Sequence, residues 1–241
     1  LILFLAGIKW RIGTGYRWYS FLFNKKMFEH RKKSQKHELE YNLNMLSALN
    51  ISEKIDFTNI DFNLTIDKSS EKKVNSLLSE SNLLSKKIVI IHPGSSGSSV
   101  DLPMSKFIEL TKLIKNKDCN IILTGSKSEF DLCEQLRISE NIFNFAGKCE
   151  LSELIALINK AEIFISNSTG PIHIAAALKK NVVGFYPKIK ECSAQRWGPF
   201  TSKRMIYSPT IDCNNCDREQ CERLDCMNSI DMNKVFFNLE Q

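Results

Sequence analysis

Residues 86–210 predict an α/β domain built on a doubly wound parallel sheet. Short apolar runs, of which Ile88-Val89-Ile90-Ile91 is the clearest, alternate with helix-length segments from Lys87 to about residue 190, the signature of parallel strands covered on both faces. Gly- and Ser-rich stretches separate some of these strands from the helices that follow, and in this architecture ligands bind beyond the C-terminal strand ends. The composition over 241 residues, 43% hydrophobic and 25% charged, excludes collagen-like, disordered and disulfide-scaffold classes.

The run Leu1-Ile2-Leu3-Phe4-Leu5-Ala6-Gly7 reads as a buried strand entered in mid-fold. It is too short for a membrane span and lacks a basic leader, and with no initiator Met it suggests the C-terminal part of a longer protein. An aromatic and basic stretch follows, with Trp10, Tyr16, Trp18 and Tyr19 interleaved among Arg and Lys as far as Lys36. Leu39, Leu43, Leu46 and Leu49 recur at helical spacing, which predicts an amphipathic helix over 38–49. Residues 50–86 are polar and rich in Ser, Asn and Lys, as in a linker between domains. The regular region then predicts strands at 88–91, 120–124, 142–145, 162–166 and 181–186, with helices at 104–115, 129–136, 151–159 and 171–178. No other segment is long and apolar enough to span a bilayer, so a soluble or peripheral protein is expected.

The charge is uneven. Of 33 basic and 27 acidic residues, nine basic and three acidic lie in residues 1–40, and the 24 of each sign that remain cancel. The whole excess of +6 thus belongs to the N-terminal segment, which suits an anionic partner.

Two loops have the makings of a diphosphate site. The first, His92-Pro93-Gly94-Ser95-Ser96-Gly97-Ser98-Ser99, joins a strand to a helix. Its glycines free the backbone N–H groups and its serines add donors, although a plain connecting loop would read the same way. The second, Ser166-Asn167-Ser168-Thr169-Gly170-Pro171-Ile172-His173, leads into a helix whose first turn admits Pro171, so that free amides and the helix dipole favour an anion. The alternative is ordinary N-capping by Ser168 or Thr169, with His173 half-buried. Between them, Gly125-Ser126-Lys127-Ser128-Glu129 places a carboxylate after the second strand, where it either meets ribose hydroxyls or complements its own helix start. Cys213, Cys216, Cys221 and Cys226 crowd the tail. Four thiolates can hold a metal or cluster, but the spacing lacks a paired CxxC form, and reduced thiols are the alternative.

HPGSSGSS, the Gly125–Glu129 pair, Ala146-Gly147-Lys148 followed by Leu151 and Leu154, SNSTGPIHIAAAL and Arg196-Trp197-Gly198-Pro199 occur in an order that resembles glycosyltransferase family 9, the heptosyltransferases of lipopolysaccharide core synthesis. Cys226-Met227 at the end of the Cys cluster, GIKWRIGTGYRW and His37-Glu38-Leu39-Glu40-Tyr41-Asn42 are also similar to that family, so the resemblance spans nearly the whole chain. It implies a GT-B fold of two facing Rossmann-like domains. Residues 1–85 would be the C-terminal part of the acceptor-side domain plus linker, 86–210 the donor-binding domain, and 211–241 a Cys-rich tail with a terminal helix.

By the same resemblance, an ADP-activated heptose is the donor and a lipid-linked inner-core saccharide the acceptor. Ser95, Ser96, Gly97, Ser98 and Ser99 would face the diphosphate with Ser168, Thr169, Gly170 and His173. Glu129 would hold the ribose, and Gly147 and Lys148 would border the adenine. The reaction would be inverting, with an ADP-sugar as substrate and no resident cofactor, and the catalytic Asp would lie ahead of Leu1, so this chain alone would transfer nothing. Arg11, Arg17 and the 31–36 cluster would face the acidic acceptor and the anionic inner leaflet, as expected of a cytoplasmic protein peripheral to the inner membrane. Two departures, Val100 where the family commonly has Lys or Arg and Ser168 where it commonly has Asp, leave another nucleotide sugar open. A reading of a different class is a nucleic-acid or membrane-surface module built on the basic arm. No recognised nucleic-acid motif accompanies the aromatics, and no nucleic-acid partner is expected.

Overall fold

The computed structural model describes residues 1–51, 60–211 and 217–241, apart from the Lys32 side chain. The chain begins with α1 (Ile2–Leu5), β1 (Ile12–Thr14), β2 (Lys25–Met27) and α2 (Glu38–Asn44). β1 and β2 pair in parallel as a two-stranded sheet. The expected opening strand is a short helix in which no residue is buried, closed by bonds such as Leu5 N–H to Leu1 O at 3.0 Å. A strand needs a neighbour for its backbone groups, and this segment satisfies them locally. His37 caps α2, its Nδ1 accepting from Leu39 N at 3.2 Å while Glu40 accepts from His37 N at 3.3 Å. The helix expected over 38–49 tightens after Asn44 into a 3-10 turn over Met45–Leu49 that ends at Asn50 with φ 61°.

Residues 50–86, expected to be a linker, contain α3 (Lys68–Glu80), capped by Asp67, which accepts from Ser70 N at 2.9 Å. Then follow β3 (Lys87–His92), α4 (Met104–Ile114), β4 (Cys119–Leu123), α5 (Phe130–Glu134), β5 (Ile142–Asn144), α6 (Leu151–Lys160), β6 (Ile163–Asn167), α7 (Gly170–Ala177) and β7 (Asn181–Phe185). The chain closes with α8 (Ala194–Trp197), β8 (Arg204–Tyr207), α9 (Arg218–Arg223) and α10 (Met232–Leu239). The five expected strands of the regular region are present within a residue or two. β8 is an addition, a short strand only partly covered and so without a continuous apolar run.

The main sheet is entirely parallel, in the order β5-β4-β3-β6-β7-β8. The chain direction of the crossovers reverses between β3 and β6, and a crevice opens at such a switch point. Consecutive residues of β3 point to opposite faces. Val89 and Ile91 join Phe107 and Leu110 of α4 and Val235 of α10 on one side. Ile88 and Ile90 join Val74 and Leu78 of α3, Leu157 of α6 and Ile172 of α7 on the other. Helices on both faces account for the unbroken apolar strands, each fully buried Leu, Ile or Phe contributing about 1.5–3 kcal/mol by removal from water. Among the described residues, no helix is long and apolar enough to cross a membrane.

Candidate functional site

The two Gly- and Ser-rich loops leave β3 and β6 side by side, His92 lying opposite Ser166 in register. Both therefore open at the switch point of the sheet. Asn167, fully buried at the end of β6, clips the first loop at both ends: its Nδ2 donates to Pro93 O at 2.6 Å and its Oδ1 accepts from Leu102 N at 2.9 Å. Ser98 Oγ donates to Ser168 O at 2.8 Å, a direct bond between the loops.

Inside the first loop, Ser98 N donates to Ser95 O at 3.0 Å around Ser96 (φ 50°) and Gly97 (φ 76°), a turn with both central residues left-handed. Ser95 and Ser99 are buried, and Ser99 Oγ has no hydrogen-bond partner among the described residues. A Cβ at Gly94 would run into the Glu129 carboxylate, so a side chain there would push Glu129 away from the loop. His92 at the loop's base is buried, its Nδ1 3.0 Å from Thr124 Oγ1, and burial pushes the imidazole down to about 4 against the opposing attraction of Glu129. It is neutral at physiological pH.

Glu129 is thus brought against the first loop. Burial pushes its carboxyl up. The Ser126 N–H at 2.7 Å, the Ser126 hydroxyl at 2.8 Å, the His92 ring where it is protonated and the Ser96 N–H together outweigh this and hold it below the usual carboxylate value. Glu129 therefore caps its helical turn, the second of its two readings, and also touches the loop through the Ser96 N–H.

At the second loop, Thr169 stands at the N-cap of α7 in extended conformation, and no side-chain capping bond is made there among the described residues. Pro171 lies in the first turn and has no N–H to satisfy. Capping by Ser168 or Thr169 is therefore not what these residues do. Ser168 is hydrogen-bonded to Tyr186, whose hydroxyl burial pushes up and which donates to Trp197 O at 3.0 Å. Gly147 (φ 73°) packs against Lys127 and donates to Gly125 O at 2.9 Å, which joins the β5 end to the β4 end. Lys148 lies over the Phe145 ring at 4.9 Å.

His173 lines a cavity of about 280 Å3 with His37, Trp197 and Phe200, and burial, then the nearby His37, push its imidazole down. The cavity lies where two quoted motifs meet. Glu38, nearly buried, accepts from Arg196 at 2.9 Å and also pairs with Arg31, while His37 Nε2 is 2.8 Å from Gly198 O. Arg11 is spent on backbone, donating to Leu22 O at 2.7 Å and to Ile8 O. Arg17 lines a larger cavity of about 620 Å3 with Tyr16, Tyr19, His30 and Arg31. Cys221 and Cys226 are buried, whereas Cys213 and Cys216 lie outside the described residues. No group of three or more His, Cys, Asp or Glu with metal-site geometry occurs among the described residues.

Sequence reasoning assigned no role to Asn167, Glu38 or Arg218. Asn167 and Glu38 lie inside recognisable motifs, but the partners of Asn167 and the Arg196 partner of Glu38 are 65 to 158 residues away in the chain. Arg218 carried no signal at all.

The family model for glycosyltransferase family 9 (heptosyltransferase) matches residues 1–226. A putative glycosyltransferase of Haemophilus influenzae is 28% identical over 218 residues, 85% of this chain and 62% of that protein. Lipopolysaccharide heptosyltransferase 1 of Campylobacter coli is 30% identical over 171 residues, 65% of this chain and 50% of that protein. The chain thus spans half to three-fifths of these relatives. The solved structure of Escherichia coli ADP-heptose lps heptosyltransferase II superimposes with a TM-score of 0.75 at 18% identity, covering 99% of this chain and 71% of that one, a likeness of fold.

Proposed function

The chain belongs to glycosyltransferase family 9, and on that premise we propose that it carries the donor side of an enzyme that moves a heptose or related sugar from an ADP-activated donor to the lipopolysaccharide inner core. The observation that carries this reading is the pair of loops at the switch point, one clipped by Asn167 at both ends and the other opening an uncapped helix N-terminus. Uncapped N–H groups and a helix dipole suit a diphosphate. Residues 86–210 are the donor-binding unit in this reading. Ser95 to Ser99 face the diphosphate with Ser168, Thr169, Gly170 and His173, Glu129 turns its remaining lone pairs to the ribose, and Gly147 and Lys148 border the base.

Transfer is inverting. An acceptor oxygen attacks the anomeric carbon, the bond from that carbon to the diphosphate oxygen breaks, and ADP departs with the electron pair. This chain's part is to stabilise the growing charge on the departing diphosphate with N–H groups already in place. The ADP-sugar is a substrate, and no resident cofactor enters the proposal. On the acceptor side, Arg17, in a cavity lined also by Glu29 and the Glu38-paired Arg31, would meet the lipid-linked core oligosaccharide at the anionic inner membrane surface. Val100 and Ser168 support a second reading, a family member using another nucleotide sugar.

Calorimetry on the full-length protein with ADP and a panel of ADP-, UDP- and GDP-sugars separates the two. Binding of ADP is expected, and no detectable binding at millimolar ADP overturns the main reading.

A further inference from the structure

We propose that Arg218, in the short helix α9, is the positioning residue of the donor loop, holding residues 95–99 in the form that receives a diphosphate. This rests on reading those residues as the diphosphate loop. The loop has a local problem of charge and strain. Residues 93–103 contain no Lys or Arg and one acid, Asp101. Their turn also holds Ser96 at φ 50°, a conformation that a residue with a Cβ keeps only where its surroundings hold it.

Three elements supply that hold. Glu129, after β4, takes the Ser96 N–H, and Ser168, after β6, takes the Ser98 hydroxyl. The third is Arg218, about 120 residues further along the chain. Its Nη1 donates to Gly97 O at 2.9 Å and its Nη2 to Ser99 O at 3.0 Å, so one rigid guanidinium fixes the spacing of the two carbonyls that flank Ser98. Its Nε donates to Glu222 Oε1 at 2.8 Å, which anchors the fork on α9. The arginine reaches the loop beside a cavity of about 250 Å3 lined also by Ser99, Val100 and Asp101.

The chemical consequence is a sorting of dipoles. A diphosphate is repelled by carbonyl oxygens and attracted by N–H groups. Arg218 engages the carbonyls of Gly97 and Ser99 and brings positive charge beside Asp101, whose carboxyl burial pushes up against the pull of Ser95 and Arg218. Two of the loop's carbonyls are thus turned to Arg218, its one acid is offset, and the Ser99 hydroxyl has no partner among the described residues.

The test compares wild type, Arg218→Ala and Arg218→Lys in the full-length protein, reading amide exchange over residues 95–100 without ligand, ADP affinity by calorimetry, and KM against kcat for ADP-heptose. In Arg218→Ala, exchange in the loop is expected to rise about tenfold, with the ADP Kd and the donor KM rising about as much, kcat changing less than about threefold and the unfolding midpoint nearly unchanged. Lys carries the charge without the fork, so Arg218→Lys is expected to resemble Arg218→Ala. Unchanged loop exchange in Arg218→Ala, wild-type behaviour of Arg218→Lys, or unchanged ADP affinity in a protein that binds ADP each overturn the inference alone. Failure of the wild type itself to bind ADP overturns the donor reading, while loop exchange still decides whether Arg218 holds the turn.

Discussion

Replacing Asn167 with Ala is expected to release the donor loop at both ends at once. Asn167 is fully buried, and its amide satisfies Pro93 O and Leu102 N, two buried backbone groups that flank the whole phosphate-compatible segment. Each group left without a partner costs about 1–3 kcal/mol, so the pair costs about 2–6 kcal/mol. For a chain of this size that lowers the unfolding midpoint by roughly 2–4 °C per kcal/mol, a drop on the order of 10 °C. Scanning calorimetry measures that drop, and an ADP titration well below the transition measures the loop, with affinity expected to fall about tenfold or more. Asn167→Asp keeps an acceptor for Leu102 N but loses the donor to Pro93 O and buries a charge, so it is expected to be no milder. An Asn167→Ala protein with a wild-type midpoint and wild-type ADP affinity would refute the clip.

Three further outcomes are expected. His92 sits at about 4 in the folded protein, below its ordinary value of about 6.5, so the unfolded chain takes up the proton first. Stability from its neutral form is fully present above about pH 6.5 and falls by up to about 3 kcal/mol as the pH drops towards 4. Urea midpoints across that window should therefore decline less steeply in His92→Gln, and equal slopes would remove His92 as the cause. Leu78→Ala in α3 is expected to destabilise by about 2–5 kcal/mol, because Leu78 is fully buried against the sheet; a denaturant midpoint within error of wild type would return residues 68–80 to a linker role. Arg17→Ala should raise the KM for acceptor while leaving ADP binding intact. Arg11→Ala should instead loosen the 8–22 segment, whose carbonyls it holds, as read by amide exchange; loss of ADP binding in either variant would overturn the acceptor-side assignment.

The amino-acid sequence alone determined the parts of this protein that local pattern can encode. Continuous apolar runs flanked by turn residues marked β3, β4, β5, β6 and β7. Gly and Ser at two strand ends marked the loops that lie together at the switch point, and the order of short motifs marked the family. Tertiary structure decided what depends on a partner far along the chain. Leu1 to Ala6 has strand composition but meets no strand, so it closes as helix α1, while β8, only partly covered, is made a strand by pairing with β7. Residues 68–80 read as polar because α3 buries only a narrow stripe, Val74 and Leu78, and only the sheet beneath gives that stripe a purpose. The same holds at the candidate site. The first loop was legible as a loop, but Asn167, Glu129 and Arg218, which bond to it, come from three other segments, and hydrogen bonds spanning 33 to 121 residues leave no period or spacing in the chain to read. The charge pattern divides in the same way. The sequence placed the whole +6 in residues 1–40, and the fold decided that Arg11 spends its charge on backbone carbonyls while Arg17 faces an open cavity.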